Sequence, residues 1–364
     1  MNAVDGSNHY ESSTKNPSPS LLFIVLDTNP HAWALLAPEL SLSSAVANLI
    51  VFINAHLAIN NANQVAVVAS HCLRPVWLYP QPPPNSNDTE MNDAPSTTHD
   101  KTNKYRPFAL VESSILRSLR QLIITTVEDD ISSTTTTQMA SALTLALSFI
   151  NKASIKFFGS SSDVETCHSI IDANEKPLGL QSRILVVSVS GDLAHQYIPI
   201  MNVTFAAQRL RVPIDICKLA GDTVFLQQAS DATKGIYMHI RNPKGFLQYL
   251  MMAFLPDSES RKHLVVPTQE TIDFRAACFC HRKVVDLGFV CSVCLSSKFT
   301  RLMDQAILTM KSVFCSPPEG TVCLTCSTQL TMGDYGAKPA VVPRKKRKKK
   351  HVNGTLSNST NVAK

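Results

Sequence analysis

The sequence predicts an α/β fold, a mostly parallel sheet flanked by helices, followed by a small cysteine-rich module. Three observations predict it. Residues 21–26 (LLFIVL) form a continuous apolar run, the pattern of a strand covered on both faces. Strand-like and helix-like segments alternate as far as residue 256, which implies parallel βαβ crossovers. Seven of the ten cysteines then fall within residues 278–326.

The elements follow in order. After the 21–26 strand, Ala45, Val46, Leu49, Ile50, Ile53 and Leu57 recur at three- and four-residue spacing and mark one helix face. Residues 65–69 and 75–79 read as short strands joined by 70–74, an antiparallel hairpin on the sheet edge. Residues 80–104 have almost no apolar content and are expected to be a disordered loop or insertion. Ile115, Leu116, Leu119, Leu122 and Ile123 define the next helix; 128–137 (EDDISSTTTT) is a polar break, and 138–152 is helical. Residues 159–182 look irregular. A β-branched strand at 184–189 ends at Ser190-Gly191-Asp192. Then come a helix at 197–210, a strand at 213–217, a helix at 223–233 closed by Gly235, and a strand at 236–240. The last helix, 243–255, has Pro243 in its first turn.

The organisation read from this is a disordered N-terminus (1–19), an α/β domain (20–256), a linker (257–275), a Cys-rich module (276–330) and a disordered basic tail (331–364). With 44% hydrophobic and 17% charged residues, 364 residues suffice for a buried core. No apolar stretch reaches the ~18 residues of a bilayer span, and neither a leader nor an anchor is expected. The formal charge of +6 is local. Arg344, Lys345, Lys346, Arg347, Lys348, Lys349 and Lys350 carry seven positive charges; subtracting them leaves −1. A broad nucleic-acid face on the folded part is therefore not indicated, and the tail reads as a nuclear-import signal or, alternatively or in addition, a nonspecific nucleic-acid or acidic-partner contact.

In a chain without a secretory signal, clustered cysteines mean metal sooner than disulfides. Cys291-Ser-Val-Cys294 and Cys323-Leu-Thr-Cys326 are two CxxC pairs separated by 28 residues. Each turn presents two thiolates, and two turns complete a closed, tetrahedral, structural Zn²⁺ site. Cys278, Cys280, His281 and Cys315 either build a second site or offer alternative ligands, with Cys278 and Cys280 joining Cys291 and Cys294; spacing alone allows both. A module of about 50 residues with few large apolar side chains needs such a staple.

No phosphate-cradling glycine loop and no G-x-S-x-G elbow occur, so no enzyme activity is expected. The first strand delivers Asp27-Thr28-Asn29-Pro30-His31 to the carboxyl edge of the sheet, where such folds bind ligands. In order and length the domain resembles von Willebrand A domains, a Rossmann-like fold. That family holds Mg²⁺ with an Asp-x-Ser-x-Ser motif, a later Thr and a second Asp. Here Asp27 matches, Asn29 and His31 replace the two serines, and Asp192 falls where the later Asp would. Imidazole is a poor Mg²⁺ ligand, so the motif is read as degenerate and Asp27 as a structural acid.

An A domain followed by a zinc module and a basic tail resembles the smaller of the two von Willebrand A subunits in the core of general transcription and DNA repair factor IIH (TFIIH). The matching residues are Leu26-Asp27-Thr28-Asn29-Pro30, Ala277-Cys278-Phe279-Cys280-His281-Arg282 and Gly288-Phe289-Val290-Cys291-Ser292-Val293-Cys294-Leu295. The segments 80–104 and 296–313 look like additions. The resemblance implies a nuclear, non-enzymatic scaffold in nucleotide excision repair and RNA polymerase II initiation. Its partners would be the larger A/zinc subunit and other core subunits including the helicases. DNA would be reached indirectly through the complex, with no membrane and no small-molecule substrate. A RING-type ubiquitin ligase or adaptor is the alternative that a Cys-rich cross-brace allows, although His281 adjoins Cys280 instead of lying mid-module.

Overall fold

The computed structural model describes residues 18–81, 106–160, 180–191, 193–221, 223–257, 260–265, 272–277, 284–285, 289–290 and 313–314. All but Val290 belong to one unit, Met1–Phe289 with Val313–Cys315; a second unit is Val290–Ser312 with Ser316–Lys364.

The apolar run becomes β1 (Ser20–Asp27), and every one of its residues is buried. It lies at the centre of a six-stranded sheet ordered β3-β2-β1-β4-β5-β6. The other strands are β2 (Gln64–Ser70), β3 (Pro75–Tyr79), β4 (Gln181–Ser188), β5 (Ile214–Lys218) and β6 (Tyr237–His239). Only β3 runs antiparallel, as the predicted edge hairpin with β2; the other pairings are parallel. The fold is therefore a mostly parallel sheet flanked by helices.

Alternation along β1 explains its composition. Leu22, Ile24 and Leu26 face one core, Leu21, Phe23 and Val25 the other. The first core is closed by α1 (Pro30–Leu36), α2 (Leu42–Ile59), α3 (Arg106–Thr125) and a last helical segment from Pro243 to Phe254. On the opposite face lie α5 (Met139–Ser160), α6 (Tyr197–Leu210) and α7 (Val224–Ala232). Helix α2 has 18 residues of mean hydropathy 1.8, enough by length and composition alone to cross a membrane. Its apolarity serves packing instead, since Ala45, Val46, Leu49, Phe52 and Ile53 are buried in the first core. At the β3 edge, Phe23, Trp77 and Phe149 form a ring cluster with centroids 5.4–5.8 Å apart.

Three local differences from the sequence expectation have physical causes. The polar break at 128–137 contains a helix, α4 (Glu128–Ser133), whose first turn carries Glu128, Asp129 and Asp130 against the positive end of the helix dipole. Helix α1 was not legible; Asn29 caps it by accepting from His31 N at 3.1 Å, and Pro30 opens it. The segment at 243–255 is not one α-helix: a 3₁₀ turn (Pro243–Gly245), an α turn, α8 (Phe246–Tyr249), and a π turn (Leu250–Phe254) follow in succession.

That segment is fastened to the amino edge of the sheet by buried charge. Arg183 on β4 donates through Nη1 to Phe254 O (2.6 Å) and Pro256 O (2.9 Å), and through Nη2 to Leu255 O (3.2 Å). The carbonyls of Phe254 and Leu255 end the segment, and that of Pro256 also accepts from Arg261 Nε at 3.1 Å. Burial pulls the Arg183 pKa down to about 10, against the opposing pull of Asp215. Asp215 on β5 in turn forms a two-point pair with Arg261, at 3.0 and 2.6 Å, and accepts from Ile236 N at 2.9 Å. Beside it, Gly235 lies so close to β5 that a Cβ would meet Ile214 O at 1.9 Å. The chain leading to the Cys-rich segment is held as well: Gln228 on α7 donates to Asp273 O (2.7 Å) and Arg275 O (3.0 Å). Ala277, paired with Val284, is buried in the second core.

Candidate functional site at the carboxyl edge

Each parallel strand ends on a polar residue: Asp27, Ser70, Ser188, Lys218 and His239 close β1, β2, β4, β5 and β6. The register lines them up. Asp27 pairs with Ser70, Ser188 with Lys218, and Lys218 with His239, while Asp27 lies one step beyond the Leu26–Val187 pair. Parallel strands in register place these side chains in one row across the sheet.

Asp27 is fully buried. Its Oδ1 accepts from Asn29 N at 3.1 Å, and its Oδ2 accepts from Val189 N at 3.1 Å and Ser190 N at 2.8 Å. Three of the roughly four acceptor positions of the carboxylate are therefore occupied by backbone. Its own carbonyl accepts from Trp33 Nε1 at 2.7 Å, which fixes the start of α1.

Asn29 does what a serine in its place could not. While Oδ1 caps α1, Nδ2 donates to Thr135 O and to Ser190 Oγ, each at 3.0 Å. One amide thus ties together the loops after β1, α4 and β4. His31 is exposed, with Nε2 2.9 Å from Ile131 O. A carbonyl only accepts, so Nε2 carries the proton and is not a metal donor. Behind it, His71 sets Nδ1 3.1 Å from Thr28 O and Nε2 3.0 Å from Thr126 Oγ1, and burial pulls its pKa down.

The side chain that sequence reasoning missed is Lys218. It is fully buried and donates to Ser188 Oγ at 2.9 Å and to the Ser190 carbonyl. The signal was present: IDICK places an acid and a base in a strand buried along its whole length. Cys217 beside it is a buried thiol whose pKa burial pushes up; Cys72 is likewise buried.

Asp27, Asn29 and His31 thus share one edge. Asp192 lies outside the described residues, as do Cys278, Cys280, His281, Cys291, Cys294, Cys315, Cys323 and Cys326 and the tail from Arg344 to Lys350. Among the described residues no group of three or more His, Cys, Asp or Glu is placed to hold a metal ion.

Comparison with known proteins adds three likenesses. A 40% identical relative from Schizosaccharomyces pombe, "General transcription and DNA repair factor IIH subunit tfb4", aligns over 321 residues, 88% of this chain and 92% of its own. The crystal structure of the TFIIH p34 N-terminal domain is 45% identical, with a TM-score of 0.51, and covers 65% of this chain and 98% of that one. The crystal structure of the SpRpn10 VWA domain is a remote neighbour: 14% identity, TM-score 0.37, 64% of this chain and 94% of that one. The model of the transcription factor Tfb4 family matches residues 19–327, and the chain belongs to that family.

Proposed function

We propose that this chain is a non-enzymatic structural subunit of the TFIIH core, serving transcription initiation by RNA polymerase II and nucleotide excision repair in the nucleus. The observation that carries this is the 40% identity to a relative named as a TFIIH subunit, sustained over 92% of that protein's length. The carboxyl edge supports it. Asp27, Asn29 and Lys218 all bond Ser190, which suits an edge that positions loops for a protein partner. Around it Leu35, Leu73, Ile123, Ile124 and Val127 are exposed apolar side chains on α1, α3 and the adjoining loops. The partner chemistry this fits is the larger A-domain and zinc subunit, engaged through the A domain and the Cys-rich module, with the helicases held through the assembly.

For the module, the donor set favours Zn²⁺. Cys291, Cys294, Cys323 and Cys326 supply four thiolates from two CxxC turns, with Cys278, Cys280, His281 and Cys315 as a second or alternative set. The basic cluster from Arg344 to Lys350 would serve import.

The test is gentle affinity purification from nuclear extract, with mass spectrometry and zinc quantification on the purified chain. Stoichiometric recovery of a second A-domain/zinc protein with helicase subunits is expected, with at least one equivalent of zinc. Recovery of ubiquitin-conjugating enzymes without helicases would overturn the scaffold reading, and a zinc-free chain would overturn the metal assignment.

A further inference from the structure

The helices that lead into β5 and β6 end alike, and each places a cation in a turn position that favours glycine. We infer that Arg211 and Lys234 form a paired docking site for an acidic segment of a partner protein, an electrostatic contact at the amino edge that adds to the apolar one at the carboxyl edge.

At the end of α6, Val212 N donates to Ala207 O at 2.9 Å and Arg211 N to Gln208 O at 3.1 Å; at the end of α7, Gly235 N donates to Ser230 O at 2.7 Å and Lys234 N to Asp231 O at 3.0 Å. Both helices therefore close in a Schellman turn, whose left-handed position is commonly glycine because a Cβ there crowds the following carbonyl. Arg211 and Lys234 hold that position at φ of 54° and 58°, and among the described residues they are the two non-glycine residues with positive φ. Both side chains are exposed, and among the described residues neither forms an ion pair. A cation near a helix C-terminus eases the dipole, yet it does so from anywhere in the last turn and does not need the strained position. Strain kept twice for an outward-facing charge points to something that the charge meets. The two turns adjoin. Gln208 Nε2 donates to Ala232 O at 2.6 Å, Ile214 N donates to Thr233 Oγ1 at 3.0 Å, and Gly235 lies against Ile214. Arg261, on the same corner, is already spent on Asp215. Leu210, next to Arg211, is 43% exposed, so the corner offers an apolar contact beside its cations. Subtracting the tail's seven cations leaves a net charge of −1, so the corner lacks the broad positive field that draws a nucleic-acid backbone. Asp231, exposed and three residues before Lys234, would also repel a continuous run of phosphates. Discrete carboxylates on a chain that also carries an apolar side chain fit all of these features.

The inference does not rest on membership of a particular complex, and it is tested on the full-length chain. The basic residues of 344–350 are changed to glutamine in the parent, so that the tail does not bind the probe. The probe is a short fluorescein-labelled peptide rich in glutamate and leucine, followed by anisotropy. Both tryptophans, Trp33 and Trp77, lie in the sheet domain, so their fluorescence reads its melting. Arg211→Gly with Lys234→Gly is expected to bind the peptide about tenfold more weakly than the parent. Its Tm should equal the parent's or rise by up to about 4 °C, because glycine takes the left-handed turn without strain. Arg211→Asn with Lys234→Asn, which also suits that turn, should lose affinity to the same extent. No binding by the parent, or an affinity unchanged in both variants, would overturn the inference. A Tm lowered in both variants would overturn it too, since the cations would then serve the fold. So would variants that lose a short DNA duplex and keep the peptide, which would assign the corner to a phosphate backbone.

Discussion

The two edges of the sheet both bury charge, and they use it differently. At the amino edge, Arg183 and Arg261 meet carbonyls and a carboxylate directly, and the arrangement clamps the end of the last helical segment. At the carboxyl edge, Asp27 accepts from Ser190 N and Lys218 donates to Ser190 O, so both charges bond the loop after β4. The first arrangement seals the domain. The second shapes loops, and the exposed Leu35, Leu73, Ile123, Ile124 and Val127 lie on those surrounding segments. Charge paired directly holds elements together, whereas charge spent on loop backbone fixes a surface. Stability should therefore reside more at the amino edge and partner recognition at the carboxyl edge.

The strongest way to break this contrast is Arg183→Met. It removes three donors from the carbonyls of Phe254, Leu255 and Pro256 without stranding Asp215, which keeps Arg261. A loss of about 4 kcal/mol is expected in urea unfolding followed by tryptophan fluorescence. A loss below about 1 kcal/mol would show that the clamp is decorative.

The next effect is pH dependence from the same edge. His56 on α2 is buried, and burial first, with the Arg183 charge second, lowers its pKa from 6.5 to about 4. The unfolded chain therefore binds the proton more tightly than the folded one. Stability is fully present above pH 6.5 and is lost as pH falls from 6.5 toward 4, by about 3 kcal/mol from this group. His56→Gln should flatten that part of the stability profile. An unchanged slope between pH 6.5 and 4 would mean that some other group carries the dependence.

The two edges were also unequally legible in the sequence. The run at 21–26, the helix spacing from Ala45 to Leu57 and the hairpin at 65–79 are local patterns, and each became the expected element because local periodicity decides which face is buried. Helix α4 was missed because its support is tertiary: His31 bonds Ile131 O from 100 residues away. Arg183, Asp215 and Lys218 are charges on apolar strands that the sequence reading did not single out, and the partners named above lie 21 to 73 residues away along the chain. Spacing cannot announce such pairs. The departure of Asn29 and His31 from the A-domain motif was visible, while Lys218 meets Ser188 and Ser190 only once β4 and β5 stand side by side.

At the carboxyl edge, smaller effects are expected on stability and larger ones on recognition. Asn29→Ala removes the α1 cap and both Nδ2 bonds, for an expected loss of about 2 kcal/mol in the same urea assay. Asn29→Ser restores the hydroxyl of the A-domain motif and the cap, but has one donor where the amide has two, so about half of that loss should remain. His31→Ala changes an exposed side chain with a single bond to α4, and its stability should stay within about 0.5 kcal/mol of wild type. The contrast is sharpest for this last variant. If the loop surface is what a partner reads, His31→Ala should weaken recovery of co-purifying subunits while the urea midpoint holds. An unchanged recovery together with a lowered midpoint would reverse the assignment, placing the stabilising role at the carboxyl edge and leaving recognition to another face.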